Sequence, residues 1–387
     1  MGEDLASLQE QLGFAFAMGA WSKGLDEDAS LVERKVAIVP DALLAEQLPP
    51  ATTAKLVASI SASRADLAEH FRQGGDSLDH VIWDRVPFEK RPFLRLGDGR
   101  MILMSPRFLH AWMGEGFYYR LFDSAAARQL PRSPNQTMSR RFTEFHGQLI
   151  ESYVLALTMD SHYEQTRAGL ATVSGEQRYT GADGSESFSP DATVAYGTEL
   201  VAIEVTGGRP ARRARVISDP AEMLEAIGRV VGKMKELDHA IGDILASRVE
   251  INDLDLGLLE RVWPVIVVPS TILQSEMLWS HIEAEAPDLF DDPRIQAPTL
   301  FSIEDFEHAL GLVETGQGLP ALLGARLNSV FRTMPPSHFF NQRNLQADRP
   351  RYLDRHMREG GDEAAAQLFR RDDDGKEAGR GRANSAR

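Results

Sequence analysis

Ser189-Pro190-Asp191-Ala192-Thr193-Val194-Ala195-Tyr196-Gly197-Thr198-Glu199-Leu200-Val201-Ala202-Ile203-Glu204-Val205-Thr206 is the stretch that decides how this chain is read. Residues 191–196 and 200–206 are rich in β-branched and apolar side chains. Between them, Gly197-Thr198 reads as a two-residue hairpin turn with glycine first, as a type II′ turn requires. Centred on that turn, Tyr196 faces Glu199, Val194 faces Val201 and Ala192 faces Ile203, which makes one face apolar. The other face pairs Ala195 with Leu200, Thr193 with Ala202 and Asp191 with Glu204. Directly opposed side chains on antiparallel strands have Cβ atoms about 5 Å apart. Two carboxylates at that spacing repel unless one is protonated or a cation lies between them. A hard divalent ion such as Mg²⁺ accepts one or two carboxylates together with waters and phosphate oxygens. The competing reading is another register with both acids in solvent. Glu204 argues against it, because it interrupts an otherwise apolar strand.

Around this hairpin the sequence predicts an ordered set of elements. An amphipathic helix spans residues 140–159, and a further strand signal falls at residues 177–180. Downstream, Asp219-Pro220-Ala221-Glu222 announces a helix with a capping acid, proline in the first turn and an acid at the third position. Its apolar stripe is Met223, Ile227, Val230, Met234, Leu237 and Ile241. A buried strand is expected at residues 264–268, and Leu300-Phe301-Ser302-Ile303-Glu304 reads as the start of another helix.

Pro190-Asp191 followed by Glu204-Val205-Thr206 in an apolar strand resembles the PD-(D/E)XK nuclease superfamily, with Thr206 where the family has its lysine. Gly147-Gln148-Leu149-Ile150-Glu151-Ser152-Tyr153 is similar to the family's first core helix. The resemblance covers roughly residues 140–270. It implies an α/β fold with a restriction-endonuclease-like core, a mixed sheet flanked by helices in the order α-β-β-β-α-β. It also implies Mg²⁺ or Mn²⁺ on Asp191 and Glu204, with Glu151 as an accessory ligand. Glu151 reads equally well as a surface acid.

Thr206 shares the strand face of Glu204, but its hydroxyl supplies no positive charge. In some members of the superfamily the lysine has moved to the following helix. There, Lys233 lies about 60° from the centre of the apolar stripe and Lys235 about 140°. Lys233 is therefore the candidate replacement, and Lys235 reads as solvated. Arg209, Arg212 and Arg213, in the loop after the second acid, are candidates to meet a nucleic-acid backbone; solvated loop arginines are the alternative. Arg132, Arg140 and Arg141 form a second basic group. The Thr206-Gly207-Gly208-Arg209 segment lacks the Gly-Lys-Ser/Thr ending of a P-loop. The histidines show no ligand spacing, and His146 reads as a core-edge residue.

Composition narrows the classes. With 387 residues, the chain is long enough for two or three domains. It has no cysteine, which excludes a thiolate metal site, a disulfide framework and a cysteine nucleophile. No apolar run approaches the roughly 20 residues of a spanning helix. Glu3 and Asp4 stand where an export signal places basic residues, so the expected location is cytoplasmic. The net charge of -15 opposes non-specific coating of nucleic acid, so contact with it has to rest on a local basic patch.

Four regions are expected. Residues 1–125 form a separate α/β unit, with helices at 5–19 and 51–71, a hairpin around Gly97-Asp98-Gly99, and a helix carrying Phe108, Trp112, Phe117 and Tyr118 as core aromatics. Residues 129–137 read as a linker. Residues 138–275 hold the nuclease-like core, residues 276–357 an extension packing on it, and residues 358–387 a disordered tail. The resulting expectation is a metal-dependent nuclease acting on DNA, with RNA as the second choice, in restriction, repair or defence. The alternatives are a nuclease-like scaffold that binds nucleic acid or a protein without cutting, and an interaction protein unrelated to nucleases. A homodimer or a protein partner is compatible with each.

Overall fold

The computed structural model describes residues 38–39, 50–73, 85–113, 115–126, 138–207, 220–251, 254–269 and 274–368. The chain divides into two compact units: Met1–Tyr118 together with His356–Arg387, and Tyr119–Arg355. Among the described residues, no helix is long and apolar enough to cross a membrane.

The first unit contains β1 (Ile38–Val39), α1 (Pro50–Ile60), β2 (Ser61–Ser63), α2 (Arg64–Gln73), α3 (Val86–Lys90), β3 (Phe93–Arg95), β4 (Met101–Leu103) and α4 (Pro106–Met113); α5 (Glu115–Ala126) leads into the second. Its sheet has the order β1-β4-β3-β2. The expected hairpin is present, with Phe93 opposite Leu103 and Gly99 at φ 86° in the turn. The single helix expected over residues 51–71 is instead two helices separated by β2, which pairs in parallel with β3. Ser63 explains the restart. Its hydroxyl accepts from Asp66 N (3.1 Å) and its own N–H donates to the Asp66 carboxylate (2.8 Å), a reciprocal cap that fixes the start of α2. Trp112 and Tyr118 are buried, as core aromatics should be. The expected helix at 5–19 and the linker at 129–137 lie outside the described residues.

The second unit runs α6 (Met138–Ser161), α7 (Tyr163–Arg167), β5 (Thr172–Gly175), β6 (Arg178–Thr180), β7 (Glu186–Phe188), β8 (Ala192–Tyr196), β9 (Glu199–Val205), α8 (Pro220–Leu245), β10 (Arg261–Val268), α9 (Glu276–Glu285), β11 (Thr299–Ser302), α10 (Ile303–Glu314), α11 (Leu319–Leu327) and α12 (Pro336–Gln342); α13 (Arg351–Leu368) begins in it and from His356 belongs to the first. Its main sheet has the order β11-β10-β9-β8-β5. β5, β8 and β9 are antiparallel neighbours, whereas β9, β10 and β11 run parallel. Parallel neighbours need a crossover, which α8 and α9 supply.

Both faces of this sheet are covered. On one, Ala192, Val194, Val201, Ile203 and Val205 pack with Val154 and Leu157 of α6 and with residues of α10 and α11. On the other, Ala195, Leu200 and Ala202 pack with Val230, Met234, Leu237 and Ile241 of α8. The fold is thus mixed α/β in three layers. Met234, Leu237 and Ile241 are fully buried, each contributing roughly 1.5–3 kcal/mol by transfer from water. That seam sets the rotation of α8, and with it the direction of the polar residues beside the stripe.

Three expectations need correction. The strand signal at 177–180 belongs to a separate two-stranded hairpin, β6–β7, while the strand completing the main sheet is β5. The region from 276 supplies β11 to the main sheet rather than only packing on it, and its helix α10 begins one residue after that strand, capped by Ser302. The chain also remains helical to Leu368 in α13 instead of losing structure at 358.

Candidate functional site

The β8–β9 register is the one read from the sequence: Ala192 opposite Ile203, Thr193 opposite Ala202, Val194 opposite Val201, Ala195 opposite Leu200 and Tyr196 opposite Glu199. Gly197 takes φ 62° at the turn, a value that costs any residue with a Cβ. One step beyond the Ala192–Ile203 pair, Asp191 and Glu204 leave adjacent strands on the α8 side of the sheet. Asp191 Oδ2 accepts from Val205 N at 2.7 Å, tying the acid to the neighbouring strand.

Helix α8 delivers the third group. Lys233 Nζ donates to Glu204 Oε1 at 2.8 Å and also meets Glu236 Oε2 at 2.7 Å. Lys235, two residues on, is exposed. Helix α6 delivers the fourth. Its Gly147 crosses Gly207, just past β9, so closely that a Cβ on Gly207 would lie 2.4 Å from Gly147 Cα. His146 Nδ1 sits 3.3 Å from Gly207 O and is buried, in keeping with a core-edge role. One turn along α6, Glu151 looks into the same cavity as Asp191, Glu204 and Lys233, a space of about 350 Å³. Glu144 is exposed and bonded to Arg140 instead.

The electrostatics follow from burial. Burial and the Glu204 charge push the Asp191 carboxyl upward, opposed by the Val205 N–H bond. Glu204 is also raised by burial, against the pull of Lys233. Burial raises Glu151 as well. For Lys233, burial favours the neutral amine, but the Glu204 and Glu236 carboxylates outweigh it and keep the ammonium charged. Among the described residues, five carboxylates, those of Glu151, Glu176, Asp191, Glu204 and Glu236, thus share one cavity with a single lysine.

Among the described residues, no group of three or more His, Asp or Glu side chains is arranged to hold a metal ion. Glu151 is therefore not gathered with Asp191 and Glu204 into a three-carboxylate cluster; an oxygen of Glu204 faces the Lys233 ammonium. Thr206 is buried and its N–H bonds Val267 O at 2.9 Å, which extends the β9–β10 ladder. Arg209, Arg212 and Arg213 lie outside the described residues, as does Arg132.

Sequence reading missed Glu176, Glu236 and Phe188 at this cavity. Glu236 had a signal, since it follows Lys233 by one helical turn. Glu176 had none because it directly follows β5, whose pairing with β8 was not read, and Phe188 had none because it reaches the site through the β6–β7 hairpin. Comparison with protein-family models, with curated proteins and with solved structures found no match for this chain.

Proposed function

We propose that this protein is a metal-dependent nuclease with a restriction-endonuclease-like core, hydrolysing phosphodiester bonds in nucleic acid. The observation that carries the reading is the convergence of Asp191 and Glu204 from adjacent strands with Lys233, delivered from the next helix onto Glu204. The order α6-β5-β8-β9-α8-β10 supports it, with β6–β7 as an insertion.

The donor set fits a hard cation. Two carboxylates, held where burial and mutual repulsion disfavour their charges, would hold Mg²⁺ or Mn²⁺ with room left for water and a phosphate oxygen. When bound, such an ion supplies Lewis acidity to the phosphate and acidifies a water. The rest falls to the chain. Asp191 offers the oxygen not engaged by Val205 N–H. Lys233 keeps its ammonium beside the site, where it stabilises negative charge developing on the phosphoryl oxygens. It thereby takes over the role that Thr206 cannot fill. Glu151, with its proton affinity raised by burial, is the group suited to accept the proton of the attacking water. The unit Met1–Tyr118 and the segments after β10 are the candidates for target selection, and DNA is the preferred substrate.

A second reading is a scaffold that binds without cutting. It is favoured by the Lys233–Glu204 ion pair, which already compensates one of the two acids. A plasmid-nicking assay in Mg²⁺ and in Mn²⁺ separates the two. Metal-dependent cleavage by the wild type, lost in both Asp191→Ala and Glu204→Ala, is the expected result. Absence of cleavage with intact DNA or protein binding in both variants would establish the scaffold.

A further inference from the structure

The β6–β7 hairpin leads into Asp191 and walls the same cavity. Gln177 and Ser189 close it at its base, with Ser189 N donating to Gln177 O at 2.9 Å and Gln177 N to Ser189 Oγ at 2.8 Å. Phe188 is only three residues ahead of Asp191. The hairpin is also pinned to α8, because Tyr179 OH donates to the buried Asp243 carboxylate at 2.8 Å. Ser187, Phe188 and Ser189 therefore stand at a fixed position beside Asp191, Glu204 and Lys233.

Phe188 differs from the other apolar residues of the sheet region. It joins neither hydrophobic core and remains 42% exposed at the cavity wall. Directly opposite it in the hairpin register is Arg178. The Arg178 guanidinium lies 5.5 Å from the Phe188 ring centroid and is steadied by Glu186 at 2.9 Å. A guanidinium layered on an aromatic ring is a planar surface of the kind on which nucleobases stack.

We propose that the Phe188–Arg178 pair is a subsite that stacks an unpaired base, so that the preferred substrate is single-stranded or frayed nucleic acid. This rests on the nuclease reading for its ligand class. Two observations favour a single strand over a duplex. Paired bases do not offer their faces to a side chain, whereas unpaired bases do. In addition, a duplex packs more phosphate charge per unit length than a single strand, and the described residues lining the cavity include five carboxylates against one lysine.

The test is fluorescence anisotropy with a labelled single-stranded oligonucleotide and with the corresponding blunt duplex. Ca²⁺ replaces Mg²⁺, and the full-length wild type is compared with Phe188→Leu and Phe188→Trp. Leucine keeps the ring's apolar character but not its π face, and the position is exposed enough for both variants to fold. The expected result is tighter single-strand binding by the wild type, weakened about tenfold in Phe188→Leu and retained in Phe188→Trp, with a smaller change for the duplex. Equal losses for the two ligands, or none, overturn the subsite. If the wild type nicks plasmid while Phe188→Leu leaves the single-strand preference intact, the subsite fails and the nuclease reading stands. If single-strand binding depends on Phe188 but no cleavage occurs, the subsite stands on a scaffold. Failure to bind either oligonucleotide removes both.

Discussion

The crossing of α6 over the end of β9 yields a sharp asymmetry between two glycines that touch each other. A Cβ on Gly207 would meet Gly147 Cα at 2.4 Å and Gly147 N at 3.3 Å, all backbone. Ordinary carbon–carbon contact is about 3.5–4.0 Å, so α6 has to retreat by about 1 Å. Overpacking of this kind costs about 1–3 kcal/mol. In a unit of this size each kcal/mol lowers Tm by roughly 2–4 °C, which gives a drop of roughly 2–12 °C for Gly207→Ala. Seen from the other side, a Cβ on Gly147 meets Glu151 Oε1 and Gly207 Cα at 3.7 Å, which is ordinary contact. Gly147→Ala should therefore be neutral, or gain up to about 1 kcal/mol from helix propensity. Gly175→Ala is the control for steric cost without backbone. Its Cβ would lie 2.8 Å from Leu155 Cδ2, the end of a side chain that can turn away. The assay is thermal unfolding of the three variants, with cleavage measured alongside. Because α6 carries Glu151, Gly207→Ala should also lose activity beyond its loss of stability at the assay temperature. Equal stability of Gly207→Ala and Gly147→Ala would refute the close crossing and the placement of Glu151 that depends on it.

Two further outcomes follow from buried ionisable groups. His162 is fully buried, bonded to Thr158 O and to the Tyr196 hydroxyl, and burial lowers its pKa from 6.5 to about 4. Between those values the unfolded chain binds the proton that the folded chain refuses. Stability is therefore intact above the unfolded value and falls as pH drops through the window, by about 3 kcal/mol at pH 4; His162→Gln should flatten this acid limb in denaturant titrations. Asp191 has the opposite dependence, since its carboxyl is pushed up and the native state holds the proton longer than the unfolded chain. Asp191→Asn keeps an acceptor for Val205 N–H and should raise Tm of the metal-free protein, more at pH 8 than at pH 5, while abolishing cleavage. A lower Tm at pH 8 would mean that the acid is not destabilised in the fold.

The centre of the fold was legible because two local rules agreed. The Gly197-Thr198 turn fixed a register, and only that register paired the apolar residues and aligned Asp191 with Glu204. Lys233 was legible for a similar reason: the stripe through Met234, Leu237 and Ile241 defines how α8 rotates, and so where its neighbour points. Short elements were not. Residues 172–175 and 177–180 carry comparable strand signals, and pairing with β8 selects the first, where Ser174 meets Thr193 and Gly175 lets Leu155 approach. Helix α1 reads straight into α2 by periodicity, and only the Ser63–Asp66 cap and the parallel pairing of β2 reveal the break. The end of α13 was hidden by composition, because Glu363-Ala364-Ala365-Ala366-Gln367 is low in bulky apolar residues yet made of strong helix formers. Phe188 was out of reach because its role depends on tertiary placement of a hairpin outside the main sheet.

Crystals grown or soaked in Mn²⁺ and measured at a wavelength where manganese scatters anomalously test the site most directly. The expected result is an anomalous peak at about 2.0–2.6 Å from carboxylate oxygens of both Asp191 and Glu204, absent in crystals of Glu204→Gln. No peak there at saturating Mn²⁺, or a peak only in the neighbouring cavity lined by Asp238, Asp288, Asp291 and Asp292, would contradict the metal site and the nuclease chemistry built on it.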